Sequence, residues 1–117
     1  MNKSTERLFA LGRKKPGEMN KTESKYAAYL DELKKCGDIL DYWFEGLTLK
    51  LAENTRYTPD FLVMLPNGAL QLHEVKGAIA IFRDDAKVKV KVCANMYPFE
   101  MLVAYPKKGG GWNVDPY

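Results

Sequence analysis

The stretch TPDFLVMLPNGALQLHEVK, residues 58–76, decides how this chain folds. Two apolar runs flank Leu65-Pro66-Asn67-Gly68-Ala69, and Asn-Gly supplies the unusual backbone angles of a tight hairpin. A three-residue loop of Pro66, Asn67 and Gly68 sets Leu65 opposite Ala69 and, further down the ladder, Asp60 opposite Glu74. Directly opposed residues have Cβ atoms about 4.5–5.5 Å apart. Alternation then sorts the side chains. One face carries Asp60, Leu62, Met64, Leu70, Leu72, Glu74 and Lys76, and the other Phe61, Val63, Leu65, Ala69, Gln71, His73 and Val75. Both faces are largely apolar, which predicts a hairpin in the middle of its sheet.

Two carboxylates facing each other at one end of such a hairpin repel and destabilise it. A shared proton, a cationic side chain or a metal ion can relieve the repulsion. Lys76 is on the same face, two residues past Glu74, and an oxygen-ligated divalent cation would complete the neutralisation. Taken one at a time, a surface Asp and a Glu–Lys pair are ordinary. Together, on a buried hairpin, they point to function. Glu23 is the fourth candidate. It lies two helical turns before Leu30, the centre of an apolar stripe, and so faces inward. Asn20-Lys21-Thr22-Glu23 also fits a capping box, and the two roles are compatible.

Outward from the hairpin, residues 21–35 read as a helix with Asn20 as N-cap, Gly37 as stop, and Tyr26, Ala27, Leu30 and Leu33 on one face. Residues 39–44, Leu47–Leu49–Leu51, 57–65, 69–76 and 99–105 read as strands, with a turn at Glu53-Asn54. Residues 84–97 are ambiguous. Lys87 to Val92 alternate like a strand, while Ala86, Val90, Cys93, Ala94 and Tyr97 share a helical face that Asp84 can cap and Asp85 suits. Gly109-Gly110-Gly111 reads as a flexible hinge to a tail.

With 117 residues, 46% hydrophobic and 28% charged, the chain suits one globular domain, 20–117, behind a polar arm, 1–19. The composition excludes disordered, collagen-like and coiled-coil classes. No apolar run approaches the roughly 18 residues of a membrane helix, and the N-terminus lacks the apolar core of a secretory signal. Cys36 and Cys93 are too few for a disulfide scaffold and suit buried thiols in a reducing cytoplasm. The net charge of +3 is concentrated at the front, where residues 1–25 hold seven basic and three acidic residues. A near-neutral body with a basic arm suits a polyanion. Arg13, Lys14, Lys15, Lys21, Arg56, Lys87, Lys89 and Lys91 are candidate phosphate contacts, although solvated surface charge explains them equally well. Tyr57, Trp43 and Trp112 could stack on bases, but core packing is the simpler role. His73, the single histidine, points away from the two carboxylates and reads as a packing residue.

Thr58-Pro59-Asp60-Phe61 followed by Glu74-Val75-Lys76 resembles the PD-(D/E)xK nuclease superfamily. The preceding helix with an inward Glu, the Asn-Gly turn and the Glu-Val-Lys-Gly run strengthen the likeness. The chain from residue 20 to residue 105 resembles a small phage family of nuclease-like proteins and is similar to phage junction-resolving (Holliday junction resolvase-like) endonucleases. The resemblance implies a restriction-endonuclease-like fold: an α/β (mixed α+β) domain with an α-β-β-β-α-β core and a central mixed sheet flanked by helices, in which residues 84–97 are helical. It implies a Mg2+- or Mn2+-dependent DNA endonuclease, with Asp60, Glu74, Glu23 and the backbone carbonyl of Val75 as metal ligands and Lys76 completing the catalytic set. Structure-selective cleavage of branched, junction or flap DNA in phage recombination, repair or replication is the implied role, in the host cytoplasm. Junction cutting would call for a homodimer, with Ile79, Ala80, Ile81 and Phe82 as its candidate apolar surface. The competing expectation is a non-catalytic nucleic-acid-binding protein that keeps the fold, against which the full set of acids argues, since carboxylates without a metal repel phosphate.

Overall fold

The computed structural model describes residues 17–77 and 84–117, and the side chains of the second helix from Lys87 onward. Within them the chain is mixed α+β: helix α1 (Lys21–Cys36), β1 (Asp41–Phe44), β2 (Leu49–Ala52), β3 (Thr55–Tyr57), β4 (Phe61–Met64), β5 (Leu70–Val75), helix α2 (Asp84–Met96), β6 (Glu100–Pro106) and β7 (Trp112–Pro116). A five-stranded sheet runs β1-β4-β5-β6-β7, and β2 and β3 form a separate two-stranded ribbon. Neighbours in the large sheet are antiparallel except β5 and β6, which are parallel and joined through α2.

The hairpin has the register its sequence predicts. Phe61 pairs with His73 and Met64 with Leu70, and the loop closes through the Leu65 N–H donating to the Ala69 carbonyl at 2.8 Å. Gly68 takes the left-handed backbone, φ 87°, that its turn requires. Flanked by β1 and β6, the hairpin is internal to the sheet. Helix α1 begins on Asn20 with a complete capping box and stops at Gly37, whose φ is 81°.

Two cores lie on opposite sides of the sheet. Tyr26, Ala27 and Leu30 of α1 pack on Phe61, Val63, Val75 and Ala104. Val90 and Cys93 of α2 pack with Leu51 and Tyr57 of the ribbon on Leu72, Met101 and Val103. The large side chains buried outright, such as Phe61, Leu30 and Leu72, contribute roughly 1.5–3 kcal/mol each.

Four expectations are corrected. Residues 57–65 are not one strand: β3 ends at Tyr57 and β4 starts at Phe61. Pro59 has no N–H for a ladder, and Asp60 turns its own N–H to a side chain, so Thr58-Pro59-Asp60 breaks the run. Gly109-Gly110-Gly111 is a tight turn with all three residues at positive φ, and it launches β7 back along β6 in place of a loose tail. The first strand begins at Asp41, leaving Ile39 buried in the approach to it. Cys36 is exposed at the end of α1, while Cys93 is buried as expected. Residues 84–96 are helical, because placing Val90 and Cys93 on one buried face outweighs the local Lys-Val alternation. The arm at 1–16, the 79–82 run and the side chains of Asp84 and Asp85 lie outside the described residues.

Candidate active site

The end of the hairpin where its ladder gives out gathers the polar groups. Asp60 follows the buried Pro59 and sits one position before Phe61↔His73, the last ladder pair. Its backbone is held on both sides. The Asp60 carbonyl accepts from the Glu45 N–H at 2.8 Å, and its own N–H points to Glu74 Oε1 at 3.4 Å. Glu45 adopts a left-handed φ of 50° to make that contact, a backbone conformation that favours glycine. The Val75 N–H donates to Asp60 Oδ2 at 2.8 Å, and among the described residues no hydrogen bond engages Oδ1. It is thus the Val75 amide that reaches Asp60.

Glu74 is buried, and both its oxygens are engaged. The Tyr57 hydroxyl donates to Oε1 at 2.8 Å, and Lys76 Nζ lies 3.1 Å from Oε2. The Lys76 backbone is fixed by its N–H to the Ala104 carbonyl of β6, at 2.9 Å. Asp60, Glu74 and Lys76 therefore converge, as their spacing predicts.

The electrostatics record crowding of like charge. Burial, and then the charge of Glu74, push the Asp60 carboxyl up to about 8; the Val75 N–H and Lys76 oppose the shift, and Glu23 adds to it. Glu23 is buried, and its Oε1 accepts from the Asn20 N–H at 2.9 Å. It caps α1, as its position predicts, and brings its charge within reach of Asp60. Among the described residues no three His, Cys, Asp or Glu side chains form a metal cage. The donor chemistry at Asp60 and Glu74 still suits Mg2+, which binds through one or two carboxylates and keeps several waters.

Other candidates separate clearly. His73 is buried on the α1 side, with Nδ1 2.6 Å from the Tyr26 hydroxyl and Nε2 2.9 Å from Gln71 Oε1, away from the carboxylates as expected. Trp112 packs edge-on against Tyr26 with ring centroids 4.9 Å apart, so it belongs to the core, whereas Trp43 is 41% exposed on the edge strand. Lys21, Arg56, Lys87, Lys89 and Lys91 are exposed; Arg13, Lys14 and Lys15 lie outside the described residues. Tyr57 is the residue that sequence reading missed as part of the site. Its one signal is position: it precedes Thr58-Pro59-Asp60, so a turn there brings its ring back over the end of β5.

Among the described residues no helix is long and apolar enough to cross a membrane. Comparison with protein-family models, with curated proteins and with solved structures finds no match to this chain.

Proposed function

We propose that this chain is a metal-dependent DNA endonuclease with a restriction-endonuclease-like core. One observation carries the reading: two carboxylates, half-buried Asp60 and buried Glu74, close the open end of a central hairpin, with the Lys76 ammonium 3.1 Å from Glu74. Carboxylates so placed repel; a proton on Asp60 and the Lys76 ammonium relieve this in part, and a divalent cation bound to both would relieve it more fully. The element order gives further support. Helix, strand, strand, strand, helix, strand recurs here as α1, β1, β4, β5, α2 and β6, with β2–β3 inserted and β7 appended.

Asp60 and Glu74 would hold a Mg2+ or Mn2+ ion, with the Val75 carbonyl and Glu23 as additional oxygen donors. When bound, that ion lowers the pKa of a coordinated water and offsets charge on the phosphodiester. Val75 fixes the Asp60 carboxylate through its N–H. Lys76 orients the attacking water and balances the charge that develops on phosphate. Lys21, Arg56, Lys87 and Lys91, with Arg13, Lys14 and Lys15 of the arm, contact the DNA backbone, where point charges are enough for positioning. A small domain without a separate base-reading element suits recognition of DNA shape, as in branched, junction or flap substrates. A homodimer acting on phage recombination or repair intermediates in the host cytoplasm is the fullest form of the reading.

A second reading has its own observation. Glu74 already receives hydrogen bonds and an ion pair from Tyr57, Asp60 and Lys76, which suits a retained fold that binds nucleic acid without cutting it. One assay separates the two. Labelled single-stranded, duplex, flap and four-way DNA are incubated with the protein and Mg2+, Mn2+ or chelator. The nuclease reading expects cleavage in metal alone, lost in Lys76→Ala while DNA binding persists. Equal DNA binding with and without metal, and no cleavage of any substrate, overturns it in favour of the second.

A further inference from the structure

We propose that Tyr57 is a positioning residue for the Glu74 carboxylate. The inference rests on the nuclease reading above and deepens it by naming what holds the proposed metal ligand in place.

A glutamate side chain has three rotatable bonds, and a metal ligand works only if its carboxylate plane is fixed. Here Oε1 faces two donors, the Tyr57 hydroxyl at 2.8 Å and the Asp60 N–H at 3.4 Å, while Oε2 faces Lys76. The first two donors come from one four-residue segment, Tyr57-Thr58-Pro59-Asp60, whose proline is fully buried. The segment therefore clamps Glu74 and presents Asp60 beside it at once.

The clamp is braced. Tyr57 is 6% exposed and packs with Leu51, Leu72, Val90 and Cys93. Its strand pairs with β2 through Leu49, the Tyr97 hydroxyl of the segment after α2 donates to the Lys50 carbonyl, and Thr48 Oγ1 meets Thr58 Oγ1 at 2.6 Å across the neck of the ribbon. Buried as it is, the hydroxyl acts through Glu74 and not on phosphate. An aromatic ring that merely filled the core would need no hydroxyl here.

The test compares wild type, Tyr57→Phe and Leu49→Ala. Mn2+ binding is measured by calorimetry on the protein without DNA, melting temperature by circular dichroism, and cleavage by steady-state kinetics. Partners that orient a metal ligand are typically worth 10–100-fold in metal affinity or activity. Tyr57→Phe should weaken Mn2+ binding by about tenfold or more and lower kcat with little change in KM for DNA. Leu49→Ala loosens the ribbon but keeps the hydroxyl, and should lower the melting temperature while leaving Mn2+ affinity intact. Wild-type Mn2+ affinity in Tyr57→Phe, or an equal loss in Leu49→Ala, overturns the role of Tyr57 and leaves the nuclease reading standing. A wild-type protein that binds no Mn2+ and cuts no DNA overturns both.

Discussion

The two faces of the central hairpin bury polar groups in opposite ways. On the α1 side, a chain of hydrogen bonds runs from Glu100 through Gln71 and His73 to Tyr26. Gln71 donates its amide N–H to Glu100 and offers Oε1 to His73, so His73 carries its proton on Nε2 and Nδ1 accepts from the Tyr26 hydroxyl. Every partner is matched and the imidazole is neutral, its pKa driven down to about 4 by burial. On the other side, Asp60, Glu74 and Lys76 collect charge at the sheet's end, and burial drives Asp60 up to about 8. Desolvation acts on both groups. One face answers it with hydrogen bonds on both nitrogens of a neutral imidazole, which suits a structural role. The other crowds acidic groups around Asp60, the feature on which the proposed nuclease reading rests.

The largest effect expected from this contrast is on activity. Glu74→Gln should reduce metal-dependent cleavage by about 10³-fold or more, the equivalent of roughly 4 kcal/mol. Single-turnover assays would show it. In His73→Gln the same assay should give near wild-type rates.

Stability against pH comes next, and the two faces predict slopes of opposite sign. Between about 3.8 and about 8 the native protein keeps on Asp60 a proton that the unfolded chain has released, so stability falls as pH rises through that window. Between about 4 and 6.5 the unfolded chain protonates His73 while the native protein does not, so there stability falls as pH drops. Metal-free wild type should therefore lose several degrees of melting temperature from pH 6.5 to 8. Asp60→Asn should abolish that loss, raise the melting temperature at pH 8, and expose the acid-side decline of His73. A flat wild-type profile from pH 6.5 to 8 would remove the contrast between the faces.

Tyr26→Phe should cost about 1–3 kcal/mol in urea unfolding, because His73 Nδ1 is left buried without its donor, and should leave cleavage unchanged. The smallest effect belongs to Arg56→Ala. Loss of one phosphate contact should weaken DNA binding alike on every sequence and reduce the salt slope by about one.

The same contrast separates what could be read from the sequence from what could not. The hairpin register is legible because Asn67-Gly68 fixes the loop and the alternating side chains fix the faces, which is why the sequence by itself brings Asp60 and Glu74 together. Glu23 was legible from helical spacing. Tyr57 was not: it reaches Glu74 across 17 positions and between two different sheets, through a break at Thr58-Pro59-Asp60 that periodicity reads as continuous strand. Strand β7 was hidden by the three glycines before it and by its sparse β-formers, since Val114 is its one β-branched residue. For 87–92 the local alternation favoured strand, and only the packing of Val90 and Cys93 on the sheet decides for helix.

The account stands on Asp60 and Glu74 sharing one hard cation. Crystals of the protein soaked in Mn2+ and measured at the manganese absorption edge test it directly. The expected result is an anomalous peak coordinated by both carboxylates, absent in Glu74→Gln. Full Mn2+ occupancy elsewhere on the protein, or carboxylates that stay turned to Val75, Tyr57 and Lys76 with no peak between them, would contradict it.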